Sequence, residues 1–449
     1  MSGESQEKQN QMKFLFKPLF FIFALLTVTY IVLYVEKLKP SDLKPFGDLF
    51  VKDDVILKSQ RYPIKSASGY LTREEFIYAN IAWKYFENNY DQKTGFVNGK
   101  DTSSIFTIKD LTSYLMGMFC ALEIGIVDST EVDSRMNKLF ISLDKIPLYE
   151  NKLPNKKYNT GSLKMLDENG NTSENGFGWS ALDIGRFFNF VNKVNLQYPQ
   201  YQPKIRKIIK RWKMHEMIEN GNLKGMVFQS NKRKYKLIQE GRLGYEEYCG
   251  KALYKSGFDV TEAISYRDFI KFIDIYGYRI AADTREVRKK NSHNYVLSDP
   301  YYLDGLENGW DINSRELAFR VFMVQKARYI DTGILTATGE DYTDNTANYV
   351  YNSIYADFRT WTCYDEMGKK RNDLKMLSTK TSFAWYVLYE DEYANLLFNN
   401  VKDLYDPQRG WYSGRYEVSG KINKSISAST NAIVLEALNY KMNGTIIQF

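Results

Sequence analysis

Apolar positions recur at helical spacing through most of the chain beyond residue 70. From Thr72, an N-cap candidate with Glu75 three residues on, the residues Phe76, Ile77, Ala79, Ile81, Trp83, Tyr85 and Phe86 build a broad apolar face. Residues 90–99 read as a turn, and 109–126 as a helix buried on most faces, followed by a more polar one over 130–143. The alternation repeats: an apolar helix over 179–196, a charged one over 203–218, then candidates at 244–255, 261–276, 314–333, 380–389, 393–404 and 427–442. Strand material is confined to 223–227, 235–237 and 295–297, in long connections.

About a dozen helices, buried ones alternating with amphipathic ones, is the imprint of paired inner and outer helices in an all-α fold. An (α/α) toroid fits. A solenoid of stacked helix pairs would show a fixed period of about 33 to 47 residues, and none is visible. Long, dissimilar loops at one end of such a barrel are where a site is expected.

The N-terminus follows a different pattern. Pro18 to Val35 is an uncharged run long enough to span a hydrocarbon core as a helix, and no small-residue cleavage site follows it. It predicts an uncleaved transmembrane signal anchor at 18–35, a cytoplasmic tail at 1–17, a stalk at 36–69 and a single large domain over 70–449. Lysines flank the run equally on both sides, so charge does not orient it. The usual arrangement places the large domain outside the cytoplasmic membrane, in the periplasm or beyond.

Composition changes this picture in one respect. The chain of 449 residues is 44% hydrophobic and 26% charged, ordinary for a globular protein, but 15% aromatic, with 35 Tyr, 27 Phe and 7 Trp. Tyr-rich surfaces suit sugar rings, which stack on a ring face while their hydroxyls bond to its polar tip. AT-rich coding would produce the same bias. The net charge of +7 comes with basic clusters at 204–213 and 232–236, but no nucleic-acid motif accompanies them, and they are expected to be solvated faces. Three isolated cysteines give neither a disulfide framework nor a zinc site, and two histidines leave little for a Ser-His-Asp triad or a metal centre. No phosphate-binding loop is present, and no cofactor or metal is expected.

Carboxylates stand beside aromatic and glycine residues in the loops entering the presumed inner helices. Glycoside hydrolysis needs two carboxyl groups, one to protonate the leaving oxygen and one to activate water or attack the sugar. Glu246 or Glu247, in Gly241–Tyr248 (GRLGYEEY), suits the acid, and only one of the two should face the cleft; Asp110 or Asp183 suits the partner. Candidate sugar contacts are Trp179, Arg186, Tyr245, His293, Tyr295, Asp304, Trp310, Asp311, Trp411, Tyr412, Arg415 and Tyr416. Helix caps, salt bridges and core packing account equally well for any one of these residues.

The ordered blocks TGFVNG (94–99), GWSALDIGR (178–186), QEGRLGYEEY (239–248), HNYVLSDPYYLDGLENGWD (293–311), VYNSIYADFR (350–359), LYDPQRGWYSGRYE (404–417) and TNAIVLEAL (430–438) resemble the bacterial family named domain of unknown function 3131, over residues 71–444. The resemblance implies an (α/α)6 toroid similar to glucoamylases and β-1,2-glucanases, and an association with envelope or exopolysaccharide production. It supplies no catalytic residues. One departure is Lys109-Asp110-Leu111, where the family shows a Trp-Asp-Ile-Gly run: the acid is kept and the aromatic lost.

The expected function is a membrane-anchored glycoside hydrolase that processes an envelope polysaccharide. The alternative is a non-catalytic glycan-binding or scaffold subunit among polysaccharide synthesis and export proteins; a helical protein-interaction module is a third reading. Two opposed carboxylates would favour the enzyme, and acids scattered over the surface would not.

Overall fold

The structure, a computed structural model, describes residues 21–30, 32–33, 56, 58–229, 234–267, 269–285 and 293–448. The chain divides into two compact units, residues 1–57 and 58–449. In the first, residues 21–30 and 32–33 are helical and expose large apolar side chains such as Phe21, Phe23 and Leu26. No helix among the described residues is long and apolar enough to cross a membrane. Both ends of the run at 18–35 lie outside the described residues.

The second unit is built on a ring of six helices: α2 (Ile108–Ile124), α4 (Ala181–Gln197), α6 (Tyr245–Lys255), α7 (Asp299–Asn308), α9 (Thr379–Leu388) and α11 (Ala428–Asn443), following α1 (Arg73–Asn88) in the chain. Each packs on the next, and α11 closes the ring on α2. Their residues are buried on nearly all faces, as a helix walled in on both sides must be. Small residues set the spacing. A side chain at Gly117 would meet the Ala432 backbone at 3.3 Å, and one at Gly185 would meet the Cys249 Cβ at 2.6 Å, so α2 packs closely on α11 and α4 on α6. Outside the ring lie α1, α3 (Ser129–Leu143), α5 (Gln202–Ile209), α8 (Ile312–Thr332) and α10 (Glu392–Val401).

The sixth outer position, between α6 and α7, holds no helix among the described residues. The segment expected to be helical at 261–276 instead ends in a β-hairpin, whose strands Ile270–Ile275 and Tyr278–Asp283 pair across Tyr276-Gly277. Both turn residues have positive φ, 49° and 78°, the conformation that joins twisted antiparallel strands through two residues. Ile270, Ile273 and Ile275 are β-branched and suit that pairing better than a helix.

The all-α expectation therefore needs correcting, because the long connections fold as sheets. We number as β1 and β2 the paired strands Asn222–Gln229 and Lys234–Gln239, as β3 and β4 the hairpin just described, and as β5, β6 and β7 the antiparallel sheet Gly339–Tyr342, Tyr349–Ala356 and Arg359–Asp365. A further sheet joins Met376–Ser378, Gly410–Tyr416 and Ile422–Ile426. Strand material expected at 223–227 and 235–237 falls in β1 and β2, whereas 295–297 contributes a single bridge, Val296 to Tyr355.

Two helical expectations also change. The helix predicted over 203–218 stops at Ile209, because Trp212, Met214 and Met217 turn into the core and the Lys213 N–H bonds the Lys152 carbonyl at 2.9 Å. Helix α7 was not foreseen at all.

A candidate active site over the inner helices

The first turns of α2, α4, α6 and α11 gather at one end of the ring. With β2, β5, β6 and the loop after β7 they enclose a cavity of about 680 Å3. Capping explains why acids stand there. Thr107 and Asp110 cap α2 reciprocally, and Ser180 Oγ accepts from the Asp183 N–H at 3.1 Å at the start of α4. Six carboxylates line the cavity: Asp110, Asp183, Glu240, Glu340, Asp365 and Glu366.

They are not equivalent. Asp110 is buried, its Oδ2 accepts from the Thr107 N–H and hydroxyl at 3.0 and 2.8 Å, and burial raises its pKa. Asp365 and Glu366 bond backbone N–H groups at the rim. Asp183 and Glu240 flank the start of α4, where Glu240 Oε2 accepts from the Ala181 N–H at 2.6 Å. Burial, reinforced by the charge of Glu240, pushes Asp183 up to about 7. Glu340 behaves oppositely. Burial would raise its pKa, but the charges of Lys109 and Lys380 prevail and hold it below the usual carboxylate range. Its Oε1 accepts from Lys109 and from the Tyr245 hydroxyl, the latter at 2.5 Å, and Lys109 also reaches the Tyr349 hydroxyl at 2.7 Å.

An aromatic cluster forms one wall. Tyr295 lies against Tyr351 with ring centroids 4.7 Å apart and planes at 9°, and against His293 at 5.1 Å and 20°; His293 Nδ1 pairs with Asp357. Rings packed face to face in this way turn their edges and polar atoms, rather than a free face, toward a ligand.

Of the residues singled out in the sequence, Asp110, Asp183, Arg186, Tyr245, His293 and Tyr295 line the cavity. Arg186 is largely committed to its floor, where it bonds Ser113 at 2.7 Å and both Glu307 and Glu436 at 3.2 Å.

The others stand elsewhere, for identifiable reasons. Glu246 and Glu247 do not line the cavity. Glu246 forms a buried ion pair with Arg285 at 2.6 Å and accepts from Gln239, while Glu247 Oε2 accepts from the Gly244 N–H at 2.6 Å at the head of α6. Burial and the neighbouring Glu246 push Glu247 up to about 8.

Asp304 is tied to Lys251 at 2.6 Å, and Asp311 caps α8. Trp179 and Trp411 are fully buried, their Nε1 atoms donating to the carbonyls of Lys224 at 3.0 Å and Tyr78 at 3.1 Å. Trp310 stacks on Tyr389. Tyr412, Arg415 and Tyr416 belong to the strand Gly410–Tyr416, away from the cavity, and the Tyr416 hydroxyl bonds Asp344 at 2.7 Å.

Among the cavity residues that the sequence reading did not single out are Glu240, Glu340 and Lys109. Glu240 follows a strand directly and precedes Gly241, and Glu340 shares one face of β5 with Tyr342. Both signals depend on strands that the helical pattern obscured.

A ring of six inner helices with its cavity over their N-terminal ends defines a glucoamylase-like toroid. An endo-β-1,2-glucanase from Chitinophaga pinensis, solved with sophorotriose and glucose, superimposes with a TM-score of 0.58 at 11% identity, covering 84% of this chain and 94% of that one. A glucoamylase candidate from Bacteroides fragilis NCTC 9343 gives 0.59 at 12% identity, covering 85% and 94%. A mutant endo-β-1,2-glucanase from Talaromyces funiculosus, solved with β-1,2-glucan, gives 0.53 at 11% identity over 84% and 85%. No curated protein matches the sequence. The family model described as "Protein of unknown function (DUF3131)" matches residues 77–444, and the chain belongs to that family.

Proposed function

We propose that this protein is a glycoside hydrolase acting on an oligo- or polysaccharide, with Asp183, its pKa raised by burial and by the charge of Glu240, as the general acid and Glu340 as the ionised carboxylate that activates water. The observation carrying this reading is the divergence of carboxylates in one cavity. Asp183, beside Glu240, retains a proton up to about pH 7, while Glu340 is held ionised by Lys109 and Lys380. Acid and base assignments follow where environments push carboxyl groups apart in this way.

The cavity is of a size that suits small ligands. Tyr245, Tyr349 and the aromatic cluster offer hydroxyl groups to sugar hydroxyls. β-1,2-Glucan is the first substrate to try, because two of the similar structures were solved with such glucans or their fragments. We further infer that the apolar run at 18–35 anchors the chain in the cytoplasmic membrane and places residues 58–449 on its outer face, beside polysaccharide synthesis or export proteins. The uncharged sequence and the exposed apolar side chains over residues 21–30 and 32–33 support this, and resistance of the full-length protein to alkaline carbonate extraction would test it.

The direct test is product release from a panel of envelope glycans, β-1,2-glucan included, by the wild type beside Asp183→Asn and Glu240→Gln. Release that disappears in folded Asp183→Asn and is reduced in folded Glu240→Gln is the expected result. Binding without release from any glycan would overturn hydrolysis in favour of a glycan-binding subunit.

A further inference from the structure

Along β5 the side chains alternate. Glu340 and Tyr342 line the cavity, while Asp341 between them points into the protein and is almost fully buried. Behind the strand, the first turns of α7 and α9 bring Asp299 and Lys380 together at 2.6 Å, both about 2% exposed. Neither lines the cavity, yet together they engage both main-chain polar groups of Glu340. The Glu340 N–H donates to Asp299 Oδ2 at 3.1 Å, and Lys380 Nζ donates to the Glu340 carbonyl at 2.5 Å. The Tyr302 hydroxyl braces Asp299 from the same helix at 2.7 Å. The fit leaves no slack, since a side chain at Gly339 would meet Thr381 Oγ1 at 2.9 Å and Asp299 Oδ2 at 3.1 Å.

We propose that Asp299 and Lys380 are positioning residues for Glu340, a buried clamp from two inner helices that fixes its backbone and thereby delivers its carboxylate to Lys109 and Tyr245 in the cavity. A buried ion pair is a poor source of net stability, and an apolar pair of the same volume holds two helices together at least as well. What the charged pair adds is direction: a donor and an acceptor in fixed places for one peptide unit on each side of Glu340. The ammonium of Lys380 adds its charge to that of Lys109 in keeping Glu340 ionised.

The clamp rests on the proposed role of Glu340, so its test needs a readout independent of turnover. The groups facing Glu340 are Lys109 from α2, Tyr245 from α6, Tyr349 and Tyr351 from β6, Asp299 and Tyr302 from α7, Lys380 from α9, and Asp341 and Tyr342 from its own strand. The experiment is a carbon-13 titration of the Glu340 carboxyl in the full-length protein, assigned with Glu340→Gln, in the wild type, Lys380→Met and Asp299→Asn. Lys380→Met should raise the Glu340 titration by about one to three pH units, and Asp299→Asn, which removes a negative charge, should lower it.

The acid limb of kcat/KM on a hydrolysed glycan should move in the same two directions, whereas loss of mere structural support lowers kcat/KM equally at every pH. Should Lys380→Met fail to fold, Asp299→Asn, which keeps the side-chain volume, carries the test alone. Unmoved titrations in folded variants, or movement in one direction for both, would overturn the clamp. Absence of hydrolysis with these opposite shifts intact would overturn the proposed function and leave the clamp standing.

Discussion

Glu240 Oε2 accepts the Ala181 N–H at 2.6 Å, so a carboxylate from the end of β2 rests on the first turn of α4, two residues from Asp183. Glutamine at 240 retains an acceptor for that N–H but not the charge that raises the Asp183 pKa. In Glu240→Gln the alkaline limb of the pH–rate profile should therefore move to lower pH. Asp183→Asn should reduce kcat/KM by about 10²- to 10⁴-fold, the usual contribution of a general acid, and Glu240→Gln by less, measured by reducing-end release with folding checked by circular dichroism.

The same elevated pKa makes a prediction about stability. Asp183 titrates near 7 in the folded protein against 3.8 for the free side chain, so between those values the folded state holds a proton that the unfolded state has lost. Its contribution is fully present below about pH 4 and is lost as pH rises through 7. Asp183→Asn should thus match the wild type in acid and exceed it at pH 8, by up to about 4 kcal/mol for a full three-unit shift and less where the cavity admits water. Urea unfolding at pH 5 and pH 8 measures the difference.

Glu246 and Glu247 should separate from catalysis. Glu246→Gln removes one of the two carboxylates paired with Arg285, the other being Asp283 at 2.6 Å, and should cost about 1 to 3 kcal/mol of stability. Glu247→Gln resembles the protonated acid, so it should match the wild type below about pH 4.5 and be increasingly the more stable of the two as pH rises toward 8. Glycan affinity of the folded fraction should be unchanged in both, by isothermal titration calorimetry.

Tryptophans and tyrosines should likewise divide. Trp179→Ala should destabilise by about 3 to 5 kcal/mol, as for other large core truncations, without altering oligosaccharide affinity. Tyr245→Phe removes a cavity hydroxyl bonded to Glu340 and should weaken binding while costing about 1 kcal/mol of stability. Thermal denaturation set beside titration of β-1,2-linked oligosaccharides distinguishes the two classes.

The inner ring was largely legible because helices such as α2 and α11 are apolar on most faces and punctuated by caps and glycines. Helix α7 was not, because its buried face is polar: Asp299, Asp304 and Glu307 are neutralised by Lys380, Lys251 and Arg186 from other helices, and pairing of that kind leaves no hydrophobic period. The hairpin of β3 and β4 was hidden by apolar residues that satisfy a helical and an alternating pattern alike over a short stretch. For the site, acids beside aromatics led to Asp110 and Asp183 in the cavity but also to Glu246 and Glu247, which do not line it. Which face of α6 turns inward depends on Gln239 and Arg285, partners that only the fold brings near.

On the ring's axis, Arg186 of α4 joins Glu307 of α7 and Glu436 of α11, and bonds Ser113 of α2 as well. Four inner helices are thus laced together directly beneath the cavity, and the three charged side chains are at most 5% exposed. The lacing closes the ring beneath the cavity at this level, so under the proposed function a glycan is engaged from above the inner helices. On that reading it is the rim of loops, rather than the length of the ring, that decides how much of a long chain can be engaged at one time.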